Sequence, residues 1–148
     1  MANPLLATSR RRDISRVVSN RIIEWHFIPP GEGWDDYDPD IVVWLDVAKV
    51  DGAWKRTNQY VIPGGANGQD ERYSLAGTWF AKHSFSNMLV ISLEPNGSVT
   101  FTDGRHRFSW LRDHGAKAIA FQVSPVDADR CLELLGTNLR ETIAAIPQ

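Results

Sequence analysis

The sequence predicts an α+β domain, and three observations carry that prediction. Short runs rich in β-branched and aromatic residues, RIIEWHFI (21–28), IVVWLDVAKV (41–50) and MLVISL (88–93), read as strands. The stretch RYSLAGTWFAKH (72–83) changes to helical spacing. Clusters of Pro, Gly and Asn at 29–31, 63–68 and 95–97 punctuate the chain between such segments. The resulting order is strands first, then β-α-β-β-α-β-α after residue 60.

Residues 1–18 are polar, basic and weakly periodic, and read as a flexible tail. In MANPLLATSRRRD the apolar stretch precedes the arginines, the reverse of a secretory signal. Arg21 to Ile28 is a strand that Pro29-Pro30-Gly31 stops. GEGWDDYDPD (31–40) is a loop by composition. Ile41 to Val50 reads as a second strand, and Asp51-Gly52 as the turn of a hairpin into Trp54–Ile62. The strands over 21–62 thus form an N-terminal β-hairpin extension. After the breaker at 63–68, Tyr73, Ala76, Trp79 and Phe80 place a helix over Arg72–His83 despite Gly77.

Met88–Leu93 is a short buried strand, Glu94-Pro95-Asn96-Gly97 a turn, and Ser98–Thr102 the returning strand. A helix then starts near Asp103 or Gly104 and buries Phe108, Trp110 and Leu111. His114-Gly115 ends it, Gly115 suiting the left-handed position after the last turn. Lys117–Val123 is a further strand. Ser124 as cap, Pro125 at the first position and Asp127 in the first turn announce the last helix. It is expected over 125–146 through Leu132, Leu135, Leu139 and Ile143, with Gly136 a weak point.

The 148 residues suit one domain, 19–148, with its core over 60–125. A net charge of −2 argues against a protein coated in positive charge. The six tryptophans, Trp25, Trp34, Trp44, Trp54, Trp79 and Trp110, are expected to build mostly core. The single cysteine, Cys131, forms no internal disulfide, no CxxC site exists, and a reducing cytoplasm is the expected home. No apolar run approaches the roughly 20 residues of a membrane span.

The chemistry concentrates in Asp103-Gly104-Arg105-His106-Arg107. A helix start exposes unpaired N–H groups and a partial positive charge, and Gly104 lets an anion approach the backbone. Arg107 offers a planar fork for phosphate oxygens, His106 a donor or an acid–base group, and Arg105 charge at the rim. Asp103 can orient Arg107 or His106, or hold a metal. The competing reading keeps Arg105 and Arg112 solvated, with His106 and Arg107 in structural contact with Asp103 or Asp113.

The run Gly97 to Arg107, then Gly115 and the strand 117–123, resembles the core of the ParB/sulfiredoxin-fold superfamily. The resemblance covers about Met88–Pro125 and extends loosely back to Tyr60. It implies a mixed sheet with flanking helices. Within the superfamily, TDGRHRFSWLRDHG is most similar to plasmid fertility-inhibition factors of the Osa type. That resemblance implies action in the bacterial cytoplasm on the type IV secretion machinery, its coupling protein or its DNA substrate. It opens ATPase and DNase activities, with ATP and Mg²⁺ as cofactors. Arg105 stands where sulfiredoxin has its reactive cysteine and where ParB partition proteins have a metal-associated glutamate. Neither sulfinic acid reduction nor a ParB-style CTP clamp is therefore expected, and no helix-turn-helix is expected after the core.

On this reading Gly104, Arg105, His106, Arg107 and Arg72 bind nucleotide or DNA phosphate, and His106, Arg107 and Asp103 are the catalytic candidates. Two alternatives stand beside it: a non-enzymatic protein that occupies a coupling or channel protein, and a small nucleotide-dependent nuclease or kinase unrelated to conjugation. Elsewhere, Asp35, Asp36, Asp38 and Asp40 lack the spacing of a Ca²⁺ loop and read as solvated. The glycine-rich 63–68 segment lacks the Lys-Ser/Thr of a P-loop and reads as a flexible connection or a lid. His83 and His114 are expected on the last carbonyls of their helices. His26 is expected to face solvent or a partner, Cys131 to be a small core residue, and Arg10-Arg11-Arg12 a solvated run.

Overall fold

The computed structural model describes residues 18–31 and 38–147. It is an α+β fold. Its elements in chain order are β1 (Val18–His26), β2 (Ile41–Asp46), α1 (Val47–Trp54), α2 (Arg72–Lys82), β3 (Phe85–Asn87), β4 (Leu89–Leu93), β5 (Val99–Asp103), α3 (Arg105–Asp113), β6 (Ala118–Val123), α4 (Pro125–Leu135) and β7 (Thr142–Pro147). Two mixed sheets result. One has the order β2-β6-β4-β5, the other β3-β1-β7. In the first, β6 runs parallel to β4 and antiparallel to β2, and β5 returns antiparallel along β4. In the second, β1 is parallel to β3 and antiparallel to β7.

Every residue of β6 is buried. A strand covered on both faces reads as a continuous apolar run rather than an alternating one, and AIAFQV does. Its one polar member, Gln122, is satisfied: its amide exchanges bonds with Ile28 N–H (2.6 Å) and Ile28 O (3.1 Å) and reaches Asp40 at 3.3 Å. The aromatic heart of the core is Trp54, fully buried, with Phe101, Phe108 and Tyr60 at centroid distances of 4.8, 5.6 and 4.7 Å. Trp110 is also buried, Trp25 and Trp44 are partly so, and Trp79 is 39% exposed. Cys131 is a buried core residue, and burial pushes its thiol up to about 11.

Three expectations are overturned. The first is the hairpin over 41–62. The run IVVWLDVAKV bends from strand to helix at Asp46, whose carboxylate accepts the Lys49 N–H at 3.0 Å. Such a cap stabilises a helix start by about 1 kcal/mol. Val47, Val50 and Trp54 then fall on one buried helical stripe, so Asp51-Gly52 lies inside α1 and 55–62 forms no strand. The second is the N-terminal hairpin extension: β1 and β2 belong to different sheets, and each pairs with strands from the second half of the chain.

The third is the helix to residue 146. It stops at Leu135; Gly136 has extended backbone, and Thr142–Pro147 becomes β7 against β1. Val18 already belongs to β1, so the tail reading for 1–18 fails at its last residue, and residues 1–17 lie outside the described ones. Trp34, Asp35, Asp36 and Arg10-Arg11-Arg12 also lie outside the described residues. Ser124 precedes α4 without a side-chain capping bond, while Asp127 accepts the Leu93 N–H at 3.3 Å.

Both histidine caps form as expected, and in the same way. His83 stacks on Trp79 (3.8 Å) with Nδ1 3.1 Å from Trp79 O, and His114 stacks on Trp110 (3.7 Å) with Nδ1 2.7 Å from Trp110 O. Each Nδ1–H therefore donates to a last-turn carbonyl. Gly77 also has a reason. A Cβ there would lie 2.5 Å from Trp110 Nε1, so its absence lets α2 and α3 pack closely.

Candidate functional site

β5 ends at Asp103, and the chain turns into α3 through Gly104 at φ +94°. Only glycine takes that conformation freely. A Cβ there would overlap the Leu89 side chain and come within 3.0 Å of Arg107 Nη2. The first helical amide with a backbone acceptor is Phe108 N–H, on Gly104 O at 2.8 Å, and no side chain caps the helix. The amides of Arg105, His106 and Arg107 thus lack intrahelical partners.

A cavity of about 440 Å³ opens at this turn. It brings together all six residues that the sequence singled out: Arg72, Asp103, Gly104, Arg105, His106 and Arg107. Gln59, Leu75, Ala76, Trp79, Phe101 and Thr102 complete the lining. Cationic residues and the apolar Leu75, Ala76 and Trp79 of α2 therefore line the same cavity.

The roles of the basic residues differ from the expectation. Arg107 turns inward. Its Nη1 donates to Ser86 Oγ and Asn87 O, both at 2.6 Å, and its Nη2 pairs with Asp103 at 3.2 Å. The guanidinium ties α3 to β3 rather than presenting an open fork. Its desolvation lowers its pKa, which Asp103 opposes. Arg105 is not simply solvated: Nη1 donates to Gln59 O (2.8 Å) and Nη2 to Gln69 Oε1 (3.2 Å). Arg72, the first residue of α2, makes no ion pair among the described residues and is exposed. The positive charge at the cavity without an ion-pair partner among the described residues is therefore that of Arg72 and Arg105.

His106 is 7% exposed. Its Nε2 accepts the Gln69 N–H at 3.1 Å, which a ring nitrogen can do only unprotonated, so the neutral ring carries its proton on Nδ1. Burial lowers its pKa, and Arg105 and Arg72 lower it further. No fully buried side-chain nitrogen among the described residues lacks a partner, so the otherwise unbonded Nδ1 is not completely enclosed. The ring is thus a neutral hydrogen-bond donor. With Nε2 occupied, it is poorly placed to act as a base.

Asp103 answers Arg107, as one expectation had it. It is a lone carboxylate facing a cation, and among the described residues no three His, Cys, Asp or Glu side chains group to hold a metal. The residues at the turn do not by themselves make a metal site.

The segment 59–71, whose Gln59 lines the cavity, is tied to α1 and α3 by a network that sequence reasoning missed. Arg112, expected at the surface, has a side chain only 9% exposed. It bonds Asp51 (3.0 Å), Asp113 (2.9 Å), Val61 O (2.8 Å) and Ser109 Oγ (2.7 Å), and lies 5.5 Å from the Tyr60 ring centre. Asp113 Oδ2 in turn accepts Tyr73 O–H at 2.7 Å and Gly64 N–H at 2.9 Å. Burial raises the pKa of Asp113, but its bonds to Arg112, Tyr73 and Gly64 outweigh this and hold it below the ordinary 3.8. The glycine-rich segment is accordingly pinned at Gly64 and again at Gln69. Asp51 is 61 residues from Arg112, so no local pattern reveals the pair.

No protein-family model, curated protein or solved structure matches this chain.

Proposed function

We propose that the cavity at Gly104–Arg107 binds phosphate, as nucleotide or as nucleic acid. We further propose that the protein acts as a fertility-inhibition factor of the ParB/sulfiredoxin type on type IV secretion in the bacterial cytoplasm. The observation that carries the anion reading is convergence. The uncapped start of α3 and the residues His106, Arg72 and Arg105 line one cavity. The fertility reading rests on the resemblance of TDGRHRFSWLRDHG, and the order β5–Gly104–α3–Gly115–β6 agrees with the superfamily pattern.

The geometry favours binding over turnover. Arg107 is spent on Ser86, Asn87 and Asp103, and His106 Nε2 on Gln69. This supports the non-enzymatic alternative, inhibition by occupying a coupling or channel protein, over ATPase or DNase chemistry. Isothermal titration with ATP, with and without Mg²⁺, tests the cavity. Binding that weakens in Arg72→Ala and Arg105→Ala is expected, and unchanged binding in both sinks the site. A conjugation assay tests the role: transfer unaffected by expression of the protein rules out fertility inhibition. Full inhibition by a folded His106→Ala/Arg107→Ala variant places the effect in protein contacts.

A further inference from the structure

Trp79 belongs to the cavity wall and also begins a second feature. Its indole is 39% exposed and lies 5.4 Å from the Phe85 ring and 3.8 Å from His83. His83 lies 5.3 Å from Phe85, and Phe85 stacks on His26 at 5.1 Å with the planes 17° apart. Four rings from α2, the turn after it, β3 and β1 therefore form one continuous strip that leads from the cavity across the surface. Phe85 is 36% and the His26 side chain 47% exposed.

The ring edges are already tied. Trp79 Nε1–H donates to Phe85 O at 2.7 Å, and His83 Nδ1 lies 3.1 Å from Trp79 O. The strip is thus pre-formed, and what it offers a partner is ring surface. An exposed aromatic patch of this kind marks a contact surface rather than a core. Its flanks carry Arg21, anchored on Ala81 O at 3.1 Å, and Lys82 in the last turn of α2; Arg72 and Arg105 stand at the cavity end. Glu24, 3.6 Å from His26, is acidic at the far end, and Asp103 is engaged by Arg107.

The outward surfaces of these two stacked pairs, Trp79–His83 and Phe85–His26, with cations beside them, suit a chain of aromatic bases on an anionic backbone. We propose that the Trp79–His83–Phe85–His26 strip binds single-stranded nucleic acid by base stacking, with a backbone phosphate in the cavity. The phosphate anchor rests on the proposed anion site; the stacking surface does not. Duplex DNA, whose bases are hidden in the stack, offers the strip nothing to hold.

Fluorescence anisotropy of the full chain tests this with labelled oligothymidylate and oligouridylate of about twelve nucleotides, within the span of known single-strand sites, and with a duplex of the same length. Single-strand binding stronger than duplex binding is expected, and the two sugars report whether DNA or RNA is preferred. With about three phosphates engaged, affinity should fall with salt at a log–log slope of about −2. Phe85→Leu keeps apolar volume, and neither Phe85 nor His26 lines the cavity. Phe85→Leu and His26→Ala should each weaken single-strand binding on the order of tenfold while leaving ATP titration unchanged.

Absence of single-strand binding, equal binding of duplex, or full binding by both variants overturns the strip. Loss of single-strand binding in Phe85→Leu, with ATP binding indifferent to Arg72→Ala and Arg105→Ala, instead retains the strip and removes the cavity reading. Near-ultraviolet circular dichroism on each variant confirms that the fold is intact.

Discussion

Arg112→Met is the perturbation that best tests the buried network of Arg112, Asp113 and Asp51. The side chains of Arg112, Asp113 and Asp51 are 9%, 15% and 24% exposed, so solvent screens their pairing only weakly. Methionine preserves the aliphatic stem but leaves two carboxylates without their cation. Breaking a buried ion pair from one side costs about 3–5 kcal/mol. For a chain of this size each kcal/mol moves Tm by roughly 2–4 °C, so a fall of roughly 6–20 °C is expected. Thermal denaturation at neutral pH measures it. The sign with pH is also fixed. Asp113 is held below its ordinary 3.8, so its contribution is complete above that value and is lost as pH falls through the lower folded value. The gap between wild type and variant should therefore narrow below about pH 4. A loss under about 1 kcal/mol at neutral pH would show that the network is ornamental.

Three further outcomes follow from particular residues. Gly104→Ala, forced to φ +94° and into Leu89, should destabilise by at least 1–3 kcal/mol in chemical denaturation and weaken any anion binding at the turn. Gly77→Ala should destabilise by about 1–3 kcal/mol through its clash with Trp110, despite the gain in helix propensity; a stabilised variant would refute the close packing of α2 on α3. His106 should titrate below 6.5 by NMR, so stability drops as pH falls from 6.5 through the folded value. Adding ATP should raise that pKa if the phosphate sits beside the ring, and no shift would place it elsewhere.

The stretch from β4 to the start of α4 was legible because its signals are local. The turn at 94–97, Gly104 before α3, Gly115 after it and Pro125 at the start of α4 each act within a few residues. The six candidate site residues meet for the same reason: five are consecutive, and α2 needs only its own periodicity to present Arg72. The errors arose where a run satisfies two periods at once. IVVWLDVAKV is apolar enough for a strand, and the decisive signal was Asp46 followed by Val47, Val50 and Trp54 at helical spacing. Leu139 and Ile143 continue the helical spacing of Leu132 and Leu135, yet TIAAIP also alternates. The partner that decides the matter, β1, is more than a hundred residues away. Arg112 failed likewise, since its burial depends on Asp51. The pairing of Arg107 with Asp103 stood among the expectations, but its bonds to Ser86 and Asn87 could not be read, because a fork that suits phosphate suits Asn87 O equally.

One small contact covers part of an exposed sheet edge. Gln59 lies against β5, the outermost strand of its sheet; its Oε1 accepts from Phe101 N–H (2.5 Å) and from Trp54 Nε1 (3.0 Å), and its Nε2 reaches Phe101 O (3.4 Å). The amide thus imitates one rung of a neighbouring strand. At the opposite margin, Leu45 bridges Gly136, and Thr137 N–H donates to Trp44 O. Both margins of the sheet are partly plugged from within the chain, which disfavours polymerisation by strand addition. An amide that lines the cavity thus also occupies hydrogen-bonding groups of an edge strand that would otherwise be free to pair.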